Sequence, residues 1–177
     1  MAIEAEIAPL ISASAIAARV ERVAEEVAQT VTSDWIVIAL MDGALVFAAD
    51  LLRALHDKGV NPVFENMTLS SYGDDIQSAG EVRVEKGLTR DLTGRSVLIL
   101  DDVFETGLTL SVAVNMARAG GAVAVKTCVF AYKDGYAADG AKPDYKGWDA
   151  PDSFLVGYGM DFQGRYRGLD YIGDLIP

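Results

Sequence analysis

VLILDDVFETGLTL, residues 97–110, decides how the rest of the chain reads. Four aliphatic residues in succession, 97–100, mark a strand buried on both faces, and the run ends directly in Asp101 and Asp102. Thr106 and Gly107 follow, and Thr109 opens an apolar helical run that Gly120 and Gly121 stop. The unit is strand, turn, helix. Such a turn offers an anion free backbone N–H groups and the positive end of the helix dipole, with the hydroxyls of Thr106 and Thr109 as further donors. The adjacent carboxylates need a different partner. A ribose 5-phosphate meets both demands, its phosphate in the turn and its hydroxyls, or a bridging Mg²⁺, near Asp101 and Asp102.

The chain has 177 residues, 51% of them hydrophobic, and a mean hydropathy of +0.21, which suits one domain with a substantial core. No apolar run reaches the roughly 20 residues of a membrane span, and the N-terminus carries acids where a signal peptide needs a basic segment, so the expected location is cytoplasmic. A net charge of −11 and a pI near 4.4 argue against a general nucleic-acid binder. The single cysteine, Cys128, lies in the strand-like VKTCVFAY and reads as core; the lone histidine, His56, has no evident link to it, which argues against a thiol nucleophile, and the counts exclude a Cys/His zinc site.

Outward from the central stretch, residues 12–31 carry Ile16, Val20, Val23, Val27 and Val31 at helical spacing, with Ser12 or Ser14 as N-cap. WIVIALM, 35–41, is a second buried strand, followed by the tight turn Asp42, Gly43, Ala44 and a helix ending at Gly59. PVFENMTLSSY is a third strand, leading to the loop GDDIQSAGE, and AVAVKTCVFAY is a fourth that delivers Lys133 at its end. Strands alternating with helices imply a mainly parallel sheet, which gathers the turns after Met41, Ser71, Leu100 and Tyr132 at one edge. Beyond Lys133 the alternation stops, and 134–177 read as an irregular cap with FLVGYG as its short strand.

DDVFETGLTL resembles the phosphoribosyl-diphosphate (PRPP) binding motif of type I phosphoribosyltransferases: two acids, two apolar residues, an acid, then Thr-Gly. The likeness extends through MDGALVFAADLLRAL, SSYG, the lysine of AYKDG and the C-terminal FLVGYGMDFQGRYRGLDYIG, and this last stretch resembles the hypoxanthine-guanine branch. The resemblance implies an α/β domain over 1–177, a parallel five-stranded sheet flanked by helices, with a core at about 12–133 and a small hood from about 134–177 plus the N-terminal residues. It implies transfer of the phosphoribosyl group of PRPP to a 6-oxopurine in purine salvage, with Mg²⁺ as cofactor and a homodimer or homotetramer as assembly. Carried over by position, Asp101 and Asp102 hold the ribose hydroxyls or their Mg²⁺, and Glu105, Thr106, Gly107, Leu108 and Thr109 the 5-phosphate. Lys133 donates to the purine O6, Phe154 stacks on the ring, and the backbone around Leu155 meets the base edge. Asp161, beside the base, holds a second Mg²⁺ through the diphosphate, Arg167 meets that diphosphate, and Ser71 and Tyr72 belong to a closing loop.

Chemistry supports these roles separately. An ammonium at Lys133 can donate to a carbonyl but meets another donor at the amino group of adenine. A guanidinium at Arg167 suits diphosphate, or is an ordinary surface arginine. Phe154 is either a stacking face or core. Two positions depart from the family pattern. Glu105 stands where the family places Asp and is the candidate to accept the purine proton; Asp42 replaces a lysine in the diphosphate loop, so that loop is expected to act through the N–H groups of Gly43 and Ala44 with Asp42 turned away or near metal. Alternatives of the same fold are a xanthine-preferring enzyme and a nucleotide-sensing regulator without turnover.

Overall fold

A computed structural model of the chain describes residues 6–71, 82–137 and 140–176. Ser12 begins the first helix, α1 (Ala13–Val27), its hydroxyl accepting the Ala15 N–H at 3.3 Å. The helix ends four residues earlier than periodicity suggests: Val31 stays buried, but through a turn whose N–H bonds the Val27 carbonyl at 2.8 Å. The elements that follow are β2 (Ile36–Met41), α2 (Leu45–Asp57), β3 (Val63–Ser71), β4 (Val82–Lys86), β5 (Ser96–Phe104), α3 (Leu108–Ala119), β6 (Ala124–Tyr132) and β7 (Tyr145–Asp149). β1 (Glu6–Ile11), β8 (Leu155–Val156) and β9 (Ile172–Ile176) lie apart from these in a second sheet.

The main sheet runs β4-β3-β2-β5-β6-β7. Five of these strands are parallel, as expected, and β4 adds an antiparallel edge beside β3. Both sheet faces are covered, which is why β2 and β5 carry unbroken aliphatic runs. Alternate residues divide between two cores: Val37, Ala39, Leu98 and Leu100 pack with α1 and α2, and Ile36, Ile38, Val97 and Ile99 pack with α3. Cys128 is buried in the first core, as read, and burial pushes its thiol far above the ordinary range, which keeps it inert.

β7 corrects the expectation that everything after Lys133 is cap. YKGWD shows no aliphatic alternation, yet it pairs in parallel with β6. Tertiary contacts hold it: Arg22 of α1 donates to the Gly147 carbonyl at 2.7 Å, and a Cβ at Gly147 would meet the Phe130 carbonyl at 2.9 Å, so only glycine allows this approach. The hood is therefore the three-stranded antiparallel sheet β1-β9-β8, built from both ends of the chain, with β8 only two residues long. Tyr158 ties it to α2 by donating its hydroxyl to Asp50 at 2.8 Å.

Candidate active site

The C-terminal ends of β2, β5 and β6 meet beneath the hood. β5 runs four residues further than its aliphatic core, because Asp101, Val103 and Phe104 pair with Val129, Ala131 and Tyr132 of β6. Asp101 and Asp102 thus stand on a strand, and both line the same cavity, close enough for their carboxyls to interact. Asp102 faces the turn before α2, where a Cβ on Gly43 would lie 2.1 Å from its Oδ2. Each acid accepts the next backbone N–H, Asp101 from Asp102 at 3.0 Å and Asp102 from Val103 at 2.9 Å. Burial, reinforced by the charge of Asp102, holds the Asp101 carboxyl well above the usual carboxylate range; burial raises Asp102 as well, with the Arg167 charge among the opposing influences.

Past β5 the chain turns through Glu105 and Thr106 to Gly107, which takes φ +76° as the N-cap of α3. Helix α3 begins at Leu108, one residue before Thr109, and has no side-chain cap. The Leu108 N–H is accepted by the Thr106 hydroxyl at 3.4 Å, and the start of the helix borders a cavity of about 240 Å³ lined by Asp101, Glu105 to Thr109 and their neighbours. A Cβ on Gly107 would strike the Phe104 ring at 2.7 Å, so this turn requires glycine both for its backbone and for its packing.

A second cavity, of about 320 Å³, shares Asp101, Val103 and Thr109 with the first and extends to Asp42, Gly43, Asp102, Asp161 and Arg167. Arg167 pairs with Asp161 at 2.8 Å and donates to the Gly159 carbonyl at 2.6 Å, while the other oxygen of Asp161 accepts the Gly164 N–H at 2.6 Å. Asp161, expected beside the base and on metal, is thus placed at the arginine end with both oxygens engaged. Of the two N–H groups expected to serve diphosphate, that of Ala44 is bonded to the Leu40 carbonyl at 3.1 Å, because this turn already leads into α2. Asp42 is exposed and is among the residues that line the cavity.

Beside the turn that leads into α3, Lys133 is 8% exposed and its ammonium donates to Glu105 at 2.9 Å, while its own N–H bonds the Phe104 carbonyl. Phe154 is 52% exposed, edge-on to Phe162 at 5.7 Å, so its ring is an open face and not core; Leu155 behind it is buried. Ser71 ends β3, and Tyr72 with the rest of the expected closing loop lies outside the described residues. Gly159 is a position that sequence reasoning passed over. It has φ +99° and approaches so closely that a Cβ would lie 2.2 Å from the Gly43 carbonyl; the only signal was a glycine pair around Tyr158.

Carboxylates in pairs are hard oxygen donors of the kind Mg²⁺ prefers. Among the described residues no three acids, histidines or cysteines converge to hold a metal, so Asp101 and Asp102 fit a cation only if ligand oxygens complete its shell.

The sheet edge thus carries a glycine turn at a helix N-terminus, an acid pair and a separate lysine–acid pair, the arrangement of an α/β protein with its site at the carboxyl ends of parallel strands. The phosphoribosyl transferase domain family matches residues 10–163. The hypoxanthine-guanine phosphoribosyltransferase of Mycobacterium tuberculosis is 38% identical, covering 95% of this chain and 85% of that protein, and the one of Bacillus subtilis is 37% identical with 89% of each covered. Among solved structures, a hypoxanthine phosphoribosyltransferase of Trypanosoma cruzi in complex with the product IMP superposes with a TM-score of 0.87 at 30% identity, covering 100% of this chain and 97% of that one. The chain belongs to the hypoxanthine-guanine phosphoribosyltransferase family.

Proposed function

We propose that the protein transfers the 5-phosphoribosyl group of PRPP to N9 of hypoxanthine or guanine, releasing diphosphate and forming IMP or GMP in purine salvage. The observation that supports this reading is the grouping near Asp101 of the N-terminus of α3, the Lys133–Glu105 pair and the cavity of Arg167. The N–H groups and hydroxyls of 106–109 take the 5-phosphate, and Asp101 and Asp102 the ribose hydroxyls. Lys133 donates to O6, Phe154 covers the ring, and Gly43 and Arg167 receive the leaving diphosphate. Displacement at the anomeric carbon builds positive charge on the ribose, and the two aspartates beneath it stabilise that charge. Glu105 accepts the purine proton as N9 attacks, and its separation from Lys133 upon O6 binding leaves the carboxylate free to do so.

Mg²⁺ is the proposed cofactor, held by Asp101 and Asp102 together with PRPP; when bound it supplies charge neutralisation to the diphosphate. The coupling of this purified protein to PRPP with hypoxanthine, guanine, xanthine or adenine, each with and without Mg²⁺, tests the reading by product chromatography. IMP and GMP are expected with Mg²⁺ and no AMP. Absence of IMP and GMP, or exclusive turnover of xanthine, would overturn it.

A further inference from the structure

The second cavity has an unusual charge balance. It is lined by four acidic residues, Asp42, Asp101, Asp102 and Asp161, and by one basic residue, Arg167, which is already engaged by Asp161 and by the Gly159 carbonyl. Asp42 is the one acid of this lining whose side chain makes no hydrogen bond or ion pair among the described residues.

Its backbone cannot withdraw. Gly43 sits against Asp102 on one side, and Gly159 sits against the Gly43 carbonyl on the other, each at distances that admit no Cβ. The Asp42 carbonyl accepts the Leu45 N–H at 3.1 Å, and the Ala44 N–H is tied to Leu40, so the turn is locked onto the start of α2. Residue 42 is thereby held among the residues that line the cavity.

We propose that Asp42 makes this end of the cleft discriminate between diphosphate carrying a divalent cation and the free anion. The inference rests on the reading of the cavity as the diphosphate subsite. Free diphosphate brings several negative charges towards a lining already acidic, and Asp42 adds repulsion against which Arg167 is the one basic residue among the described residues lining the cavity. A cation bound to the diphosphate reverses the sign of that contribution, because the carboxylate then faces a local positive charge, directly or through a coordinated water. The same residue thus opposes one form of the ligand and favours the other. Discrimination of this kind keeps the subsite from filling with metal-free diphosphate, which would exclude PRPP.

Calorimetric titration of the whole protein with inorganic diphosphate, in EDTA and in saturating Mg²⁺, tests this for the wild type, Asp42→Asn and Asp42→Lys. The side chain is exposed, so the fold should persist, and matching thermal melts verify that it does. Metal-free affinity should rise about tenfold in Asp42→Asn, and further in Asp42→Lys, as expected for removing or reversing one charge near a partly screened anion. The ratio of affinities with and without Mg²⁺ should shrink in the same order. An unchanged ratio across the three proteins would overturn the role of Asp42 while leaving the subsite intact. Failure of the wild type to bind diphosphate even with Mg²⁺ would instead overturn the subsite reading, and the inference with it.

Discussion

Gly43→Ala puts one methyl group into the tightest contact of the site. The new Cβ would lie 2.1 Å from Asp102 Oδ2, 2.5 Å from its Cγ and 2.9 Å from Oδ1. Ordinary contact begins at 3.4 Å, so either the carboxylate or the turn must move by more than an ångström. The turn has nowhere to go, since Gly159 abuts the Gly43 carbonyl, and Asp102 gives way only by losing its bond from the Val103 N–H. Overpacking of this kind costs about 1–3 kcal/mol, and each kcal/mol lowers Tm by roughly 2–4 °C in a chain of this size. A functional carboxylate displaced by about 1 Å costs on the order of 100-fold in rate. The assay is kcat/KM for PRPP at saturating hypoxanthine, together with Tm by calorimetry. Gly168→Ala is the control, because a Cβ there meets nothing within 4 Å and the backbone is not left-handed. If Gly43→Ala matches this control in both measurements, the contact does not constrain Asp102 and the reasoning fails.

Glu105→Gln should lower kcat by about 100-fold or more while PRPP affinity changes little, and near-normal single-turnover rates would remove Glu105 from proton acceptance. Lys133→Gln should weaken selection of hypoxanthine over adenine by at least about tenfold, read as the ratio of kcat/KM values. Asp101→Asn should raise the Tm of the ligand-free protein at neutral pH while abolishing turnover. Burial and Asp102 raise the folded carboxyl above its unfolded value, so its ionisation opposes folding at higher pH; that penalty vanishes below about pH 3.9, where the acid is protonated in both states. The two proteins should therefore converge in stability on acidification. Asp144→Asn has the opposite sign. Burial alone would raise this carboxyl, but Lys126 at 2.7 Å and the N–H and hydroxyl of Thr127 at 2.8 and 3.0 Å outweigh it and hold it below the usual range. The variant should lose about 1 kcal/mol at pH 7 after allowance for solvent screening, with the loss fading as pH falls through the depressed folded value, as denaturant titrations across pH will show.

Much of the site was legible before the fold was. Gly107 declared itself by its place between an acid-ended strand and an apolar helix, and Lys133 by its place at the end of a buried strand. The less legible parts are those whose signal is borne by a neighbour. Nothing local in YKGWD marks β7, which exists because β6 offers an open edge and α1 covers it through Arg22. Helix α1 stops at Val27 although Val31 continues its apolar spacing, because burial of a side chain does not require a helical backbone.

Alone, the chain determined the parallel α/β pattern, the phosphate turn and the acids beside it, because each is written in periodicity and in residues adjacent along the backbone. Tertiary structure decided what those groups face. It set Glu105 against Lys133 across 28 positions, pressed Gly43 between Asp102 and Gly159, paired Arg167 with Asp161 and brought Asp42 into the lining of their cavity. Those relations depend on how strands and hood cross in space, and distances of 2 to 3 Å between residues so far apart in the chain have no counterpart in local spacing.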